Sequence, residues 1–107
     1  MTDEASSEKA ADGVELEAIR AEIGRVDEAI VFLIDERLRL ARRVGELKRT
    51  AGLGVLDPSR EAAVVRRAGA LARERGLDDE AIRDVFWRLI EMARNAQGAD
   101  GAERKAD

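Results

Sequence analysis

Two cations lie on the apolar helix face in the first half of the chain, and one of them interrupts its pattern. Between residues 16 and 47 apolar side chains recur every three or four positions, and Arg37 stands where this pattern calls for another. Lys48 follows about three helical turns later and about 20° around the axis, so both cations share a helix face. A guanidinium on an apolar seam is costly unless an anion meets it. The pair therefore indicates an anion site, although a nearby carboxylate for Arg37 and a helix-end position for Lys48 also explain the pattern.

Further polar residues could join this site, each with a plain structural explanation beside the functional one. Asp57, Arg60 and Glu61 cluster where a second helix should begin, and there Asp57 suits the N-cap and Glu61 suits the positive helix end. Gln97 lies on the inward face of a third helix, where a polar amide is unusual. It also lies in the last turn of that helix, where an amide is ordinary. Arg20 flanks the apolar stripe and is a surface charge unless a partner chain carries it into a site. The residues alone thus predict a helical dimer with a cationic face.

Composition narrows the chemistry. The chain has no Cys and no His, so thiolate metal sites, disulfides and imidazole catalysis are excluded, and any chemistry must use Arg, Lys, Asp, Glu or amides. The net charge of -4 comes from the two ends, which leaves residues 14–97 neutral overall. Aromatic residues make up only 3%, which together with the neutral core disfavours nucleic-acid binding. The first thirteen residues lack the basic start and apolar run of a signal peptide, so a cytoplasmic location is expected, without a membrane span.

The spacing predicts three helices and no strands, an all-α fold. The first helix covers about residues 14–51, and its inward positions are apolar: Leu16, Ile19, Ile23, Val26, Ile30, Leu33, Leu40, Val44 and Leu47. The second should begin at Asp57-Pro58 and end near Gly76, and the third should run from about 79 to Gly98 after an N-cap at Asp78-Asp79. Residues 1–13 and 98–107 are predicted to be disordered ends around one domain at 14–97.

The length of the first helix predicts a dimer. About 35 helical residues extend roughly 50 Å, whereas a compact domain of this chain length has a radius of gyration of only about 13 Å. A helix that long must find part of its packing surface outside its own domain. A second copy of the chain would supply that surface.

Several segments together resemble the all-helical class of chorismate mutases. They are Leu16-Glu17-Ala18-Ile19-Arg20, Glu36-Arg37, Val44-Gly45 with Lys48, and Asp57-Pro58-Ser59-Arg60-Glu61. The resemblance covers about residues 14–97 and runs without a gap. It implies an isomerase of the shikimate pathway that rearranges chorismate to prephenate for phenylalanine and tyrosine synthesis. It also implies an intertwined homodimer of three-helix chains that needs no metal and no cofactor.

The resemblance assigns roles to residues at both ends of the substrate. Arg20, reaching across from the partner chain, and Arg37 would bind the two carboxylates of chorismate. Lys48 and Gln97 would hydrogen-bond the ether oxygen of the breaking C–O bond, where negative charge gathers in the transition state. Arg37, Lys48 and Gln97 are thus three of the four catalytic residues expected here.

The fourth catalytic residue is Glu61, which with Asp57 would contact the ring hydroxyl, while Arg60 lines the same site. One position departs from the family pattern. Ala93 stands where many members carry a hydroxyl residue, which removes one expected hydrogen bond to a substrate carboxylate.

Other functions stay open at this point. Close relatives of such enzymes rearrange 4-amino-4-deoxychorismate or act on isochorismate as pyruvate lyases, and a carboxylate suits an amine as well as a hydroxyl. A non-catalytic helical dimerisation module, in which seam charges only set the register, is a further alternative. Docking of the dimer to another shikimate-pathway enzyme is also compatible with the sequence.

Overall fold

The computed structural model describes the backbone of residues 2–106 and the side chains of residues 7–97. Three helices follow one another: α1 (Thr2–Thr50), α2 (Pro58–Glu74) and α3 (Asp79–Ala106). No strand occurs in the described backbone, which confirms the all-α prediction. The first helix was expected to begin at about residue 14 and the third to end near Gly98. Both predictions were too narrow, because α1 begins at Thr2 and α3 ends at Ala106. Disorder of the two ends in solution stays a prediction.

The chain divides into two units, Met1–Asp35 and Glu36–Asp107. In the first unit, every side chain from residue 7 to residue 33 is exposed. Six apolar residues at three- and four-residue spacing are 46% to 62% exposed, and we call them the N-terminal apolar stripe: Leu16, Ile19, Ile23, Val26, Ile30 and Leu33. None of the side chains described in this unit covers the stripe, although its period is that of a packed helix face.

In the second unit, α2 and α3 pack against each other around a small core. The buried apolar side chains of this core are Val65, Ala68, Ala72 and Ile90. At Gly69, which is also buried, an added Cβ would lie 3.1 Å from Cδ of Arg83 on α3. A larger residue at position 69 would displace that side chain.

Local sequence signals set the helix ends of this unit. Asp57 caps α2 by accepting a hydrogen bond from the backbone N–H of Arg60 at 3.1 Å, and Pro58 takes the first helical position. Gly76, at φ 69°, provides the left-handed residue that turns the chain after α2. Asp78 then accepts from the backbone N–H groups of Glu80 and Ala81. Both caps were predicted from the sequence and are confirmed.

Within the residues whose side chains are described, none of the helices carries a stretch long and apolar enough to cross a membrane.

Candidate active site

A cleft of about 340 Å³ opens within the second unit and is lined by α1, α2 and α3. Its apolar surface comes from Leu40, Val44, Val64 and Ile90. Its polar groups come from Arg37, Arg60, Glu61, Arg94 and Gln97. The volume and the mixture of an apolar wall with a few convergent polar groups are typical of a small-molecule site.

Arg37 and Arg60 give the cleft its anion-binding character. The Cζ atom of Arg37 lies 6.0 Å from the centre of the Phe86 ring, so the guanidinium stacks over an aromatic face. Neither arginine forms an ion pair with any residue whose side chain the structure describes. No described carboxylate neutralises Arg37, so the purely structural explanation of this residue is not supported. Two guanidinium groups that face one cleft, with no counter-ion among the described side chains, favour a ligand that carries negative charge.

Lys48 and Asp57 form an ion pair of their own near the end of α1 and the start of α2. Nζ of Lys48 lies 3.6 Å from Oδ2 of Asp57, whose other carboxylate oxygen caps α2. Asp57 therefore joins the last turns of α1 to the first turn of α2. The Lys48 ammonium has three N–H donors, and this one contact leaves donors for a ligand. Neither residue is part of the cleft lining itself.

Gln97 is held in the cleft by the backbone of α1. Its Nε2 donates to the carbonyl oxygen of Ala41 at 2.8 Å, and the side chain is partly buried. The side chain lies close to Gly45 of α1, where an added Cβ would lie 3.3 Å from Cγ and Nε2 of Gln97 and would press against it. An amide nitrogen has two N–H donors. The bond to Ala41 uses one and leaves the other for a ligand.

Glu61 forms an ion pair with Arg94 of α3, and both residues line the cleft. Nε of Arg94 donates to Oε2 of Glu61 at 2.8 Å, and Nη2 donates to Oε1, so the pair is bidentate. These hydrogen bonds, helped by the Arg94 charge, hold the pKa of the Glu61 carboxyl below its usual 4.5, against burial and the Asp57 carboxylate, which both raise it. The same contact raises the pKa of Arg94.

Sequence reasoning missed Arg94. Its signal was its position four residues after Ile90, which places it on the inward side of α3 beside Ala93. Its partner could not be read from the sequence, because Glu61 and Arg94 lie 33 positions apart.

The low pKa of Glu61 gives a prediction for stability against pH. Because the folded-state pKa lies below 4.5, the ion pair should contribute stability fully above pH 4.5 and lose it as the pH falls through the folded-state value. Urea unfolding of the wild type and of Glu61→Gln, measured from pH 7 downward, should therefore give a difference in unfolding free energy that is constant above pH 4.5 and shrinks below it. A difference that grows on acidification would contradict the ion pair.

Arg20 lies in the first unit. Its side chain is exposed, and its described contact is an ion pair with Glu17 one turn earlier, at 3.2 Å. Of the residues predicted for the site, the cleft thus brings together Arg37, Arg60, Glu61 and Gln97.

Residues 19–98 match the sequence model of the family described as chorismate mutase type II. The chain belongs to this family. The matched segment contains every residue predicted for the site, from Arg20 to Gln97, so the resemblance seen in the sequence is confirmed at the level of the family.

Three relatives show how this chorismate mutase type II chain compares with known proteins. It is 36% identical over 82 residues to the chorismate mutase of Methanocaldococcus jannaschii, and the aligned region covers 77% of this chain and 83% of that protein. It is 30% identical over 81 residues to the 4-amino-4-deoxychorismate mutase of Streptomyces venezuelae, covering 75% and 79%. It is 33% identical over 87 residues to the T-protein of Enterobacter agglomerans, covering 81% of this chain but only 23% of the T-protein. The chain therefore spans about a quarter of that longer relative.

Proposed function

We propose that this chain is a chorismate mutase that rearranges chorismate to prephenate in phenylalanine and tyrosine synthesis. The observation that carries the proposal is the cleft, in which Arg37 and Arg60 face a small-molecule volume and have no ionic partner among the residues whose side chains are described. Chorismate is a dicarboxylate built on a six-carbon ring, which matches cations set on an apolar wall. The 36% identity to a chorismate mutase over most of both chains supports the same substrate.

Restraint of the substrate would supply one part of the catalysis. The rearrangement is intramolecular and needs no nucleophile or proton transfer, so the absence of His and Cys does not prevent it. Arginine forks that grip both carboxylates would hold the enolpyruvyl side chain over the ring, close to the geometry of the reaction. Arg37 would take one carboxylate from within the chain, and Arg20 of a second chain would take the other.

Charge placement would supply the other part. As the C–O bond breaks, negative charge gathers on the ether oxygen, and donors that face this oxygen bind the transition state more tightly than the substrate. Lys48 has donors left beside its contact with Asp57, and Gln97 has one N–H left beside Ala41. The Lys48 ammonium and the Gln97 amide would thus both donate to the ether oxygen.

The active form would be a homodimer. The N-terminal apolar stripe leaves six apolar side chains 46% to 62% exposed along one helix face, and such a continuous stripe favours a protein partner. A second copy of the same stripe is a self-complementary partner of the right length and chemistry. Arg20 lies within the stripe's range of residues, so a partner chain that covers the stripe would come close to this arginine.

The rearrangement of 4-amino-4-deoxychorismate is the second candidate function. The similarity to the Streptomyces venezuelae enzyme favours it, although at lower identity than the similarity to the chorismate mutase. Pyruvate release from isochorismate and a purely structural dimer remain alternatives without a structural observation in their favour. The cytoplasmic location and docking to another shikimate-pathway enzyme stay predictions from the sequence.

A pH profile tests the proposed role of Gln97 in this reaction. Because an amide does not ionise in this range, kcat/KM for chorismate should persist through neutral pH in the wild type. In Gln97→Glu the donor exists only when the carboxyl is protonated, so activity should fall about tenfold per pH unit above the pKa of the new carboxyl.

The measurement is the initial loss of chorismate absorbance from pH 4.5 to 8.5, with Arg88→Gln as a control on an exposed face of the same helix. A wild-type profile that collapses above pH 6 would contradict the role of Gln97.

A further inference from the structure

We infer that Arg94 determines substrate specificity, because it neutralises Glu61 and so makes the cleft accept a ring hydroxyl in preference to a ring ammonium. The inference rests on the proposed function and goes beyond it. The sequence leaves the substrate open, since the carboxylates of Asp57 and Glu61 suit a hydroxyl and an amine alike. The contacts that these two carboxylates make in the folded chain favour the substrate with the hydroxyl over the substrate with the amine.

The first step is that Glu61 is the carboxylate of the cleft lining among the residues whose side chains are described. Asp57 lies outside that lining and is engaged by the α2 cap and by Lys48. An ammonium group on the substrate ring would therefore depend on Glu61 for its counter-charge.

The second step is that Arg94 already neutralises the Glu61 carboxylate. Both Glu61 oxygens accept hydrogen bonds from the Arg94 guanidinium, and the Glu61 side chain is only 16% exposed, so solvent screens the pair weakly on that side. A ring ammonium would meet a neutralised carboxylate in a cleft that also contains Arg37 and Arg60. Like-charge repulsion would then disfavour the amine.

The third step is that a hydroxyl group needs much less from Glu61. A carboxylate has about four lone-pair sites on its two oxygens, and the bidentate contact with Arg94 uses two of them. A ring hydroxyl can donate to a remaining site without adding charge to the cleft. Arg94 also fixes the orientation of the carboxylate, so the acceptor is in place before the substrate arrives.

The experiment compares kcat/KM for chorismate and for 4-amino-4-deoxychorismate in the wild type, Arg94→Gln and Arg94→Lys. The control is Arg88→Gln, because Arg88 is an exposed arginine of α3 that pairs with Glu91 at 2.9 Å and lies outside the cleft. Arg94 is itself 47% exposed, so its replacement should leave the fold intact.

We expect the wild type to prefer chorismate and Arg94→Gln to shift the ratio of the two kcat/KM values by about tenfold toward the amine. Arg94→Lys, which keeps the charge but not the bidentate fork, should fall between them, and Arg88→Gln should match the wild type. A second readout is the ionisation of Glu61 followed by carbon NMR of its carboxyl, which should show a higher pKa in Arg94→Gln than in the wild type. A residue that only stabilised the fold would leave the substrate ratio unchanged, whereas the rise in the Glu61 pKa checks that the ion pair itself has been removed.

The outcomes distinguish this inference from the proposed function. A wild type that rearranges chorismate but shows the same substrate ratio as Arg94→Gln overturns the inference alone. A wild type that prefers the amine also overturns the inference while leaving a mutase. A wild type that rearranges neither compound overturns the proposed function, and the inference with it.

Discussion

Replacing Lys48 by alanine is expected to lower kcat/KM for chorismate by about 10²- to 10³-fold. The ammonium is the charged donor proposed for the ether oxygen, so its effect should be larger in the transition state than in the bound substrate. The fall should therefore appear mainly in kcat, with a smaller change in KM. Initial rates over a range of chorismate concentrations separate the two parameters.

The variant also breaks the contact between Lys48 and Asp57, so its fold must be checked. The loss of one partly exposed ion pair should leave helix content and oligomeric state unchanged, as measured by circular dichroism and sedimentation. Lys9→Ala is the matched control, because Lys9 is an exposed lysine of the same helix. A folded Lys48→Ala protein with wild-type kcat would remove Lys48 from the mechanism.

The second large effect concerns two inactive variants that restore activity when combined. Arg20→Ala and Lys48→Ala homodimers should each be nearly inactive, because each lacks one residue in both sites. In a heterodimer of the two, one site receives Lys48 from its own chain and Arg20 from the other, and the second site lacks both. Such a heterodimer should have about half the activity of the wild-type dimer, since one of its two equivalent sites is complete.

The heterodimer is obtained by co-expressing the two variants with different affinity tags and purifying on both tags in turn. A co-purified pair of Lys48→Ala chains with the two tags serves as the control and should remain inactive. If Arg20 acted within its own chain, both sites of the heterodimer would be defective and activity would not return. A protein that sediments as a monomer would also contradict the dimer.

Much of the fold follows from short-range sequence signals. Asp57-Pro58 and Asp78 predict caps because a cap depends only on the next few residues, and both caps are present. The outer limits of α1 and α3 were harder to predict. Residues 2–13 have no apolar stripe, but they contain Ala, Glu and Lys, whose high helix propensity continues a helix without packing.

The candidate site was predictable where a residue interrupts a helical pattern. Arg37 and Gln97 were found in this way, because each polar residue falls on an apolar face that turns toward the cleft. The ion pair between Glu61 and Arg94 was not found, since it depends on how α2 and α3 pack, which the local pattern does not encode.

The most direct test of the central claim is the product that the purified wild-type chain forms from chorismate in the presence of a chelator. Proton NMR of the reaction mixture identifies the product as the chorismate signals disappear. We predict stoichiometric conversion to prephenate, with no added metal or cofactor and at a rate far above that of the buffer alone. Unchanged chorismate, or a product other than prephenate, would contradict the proposal that this member of the family is a chorismate mutase.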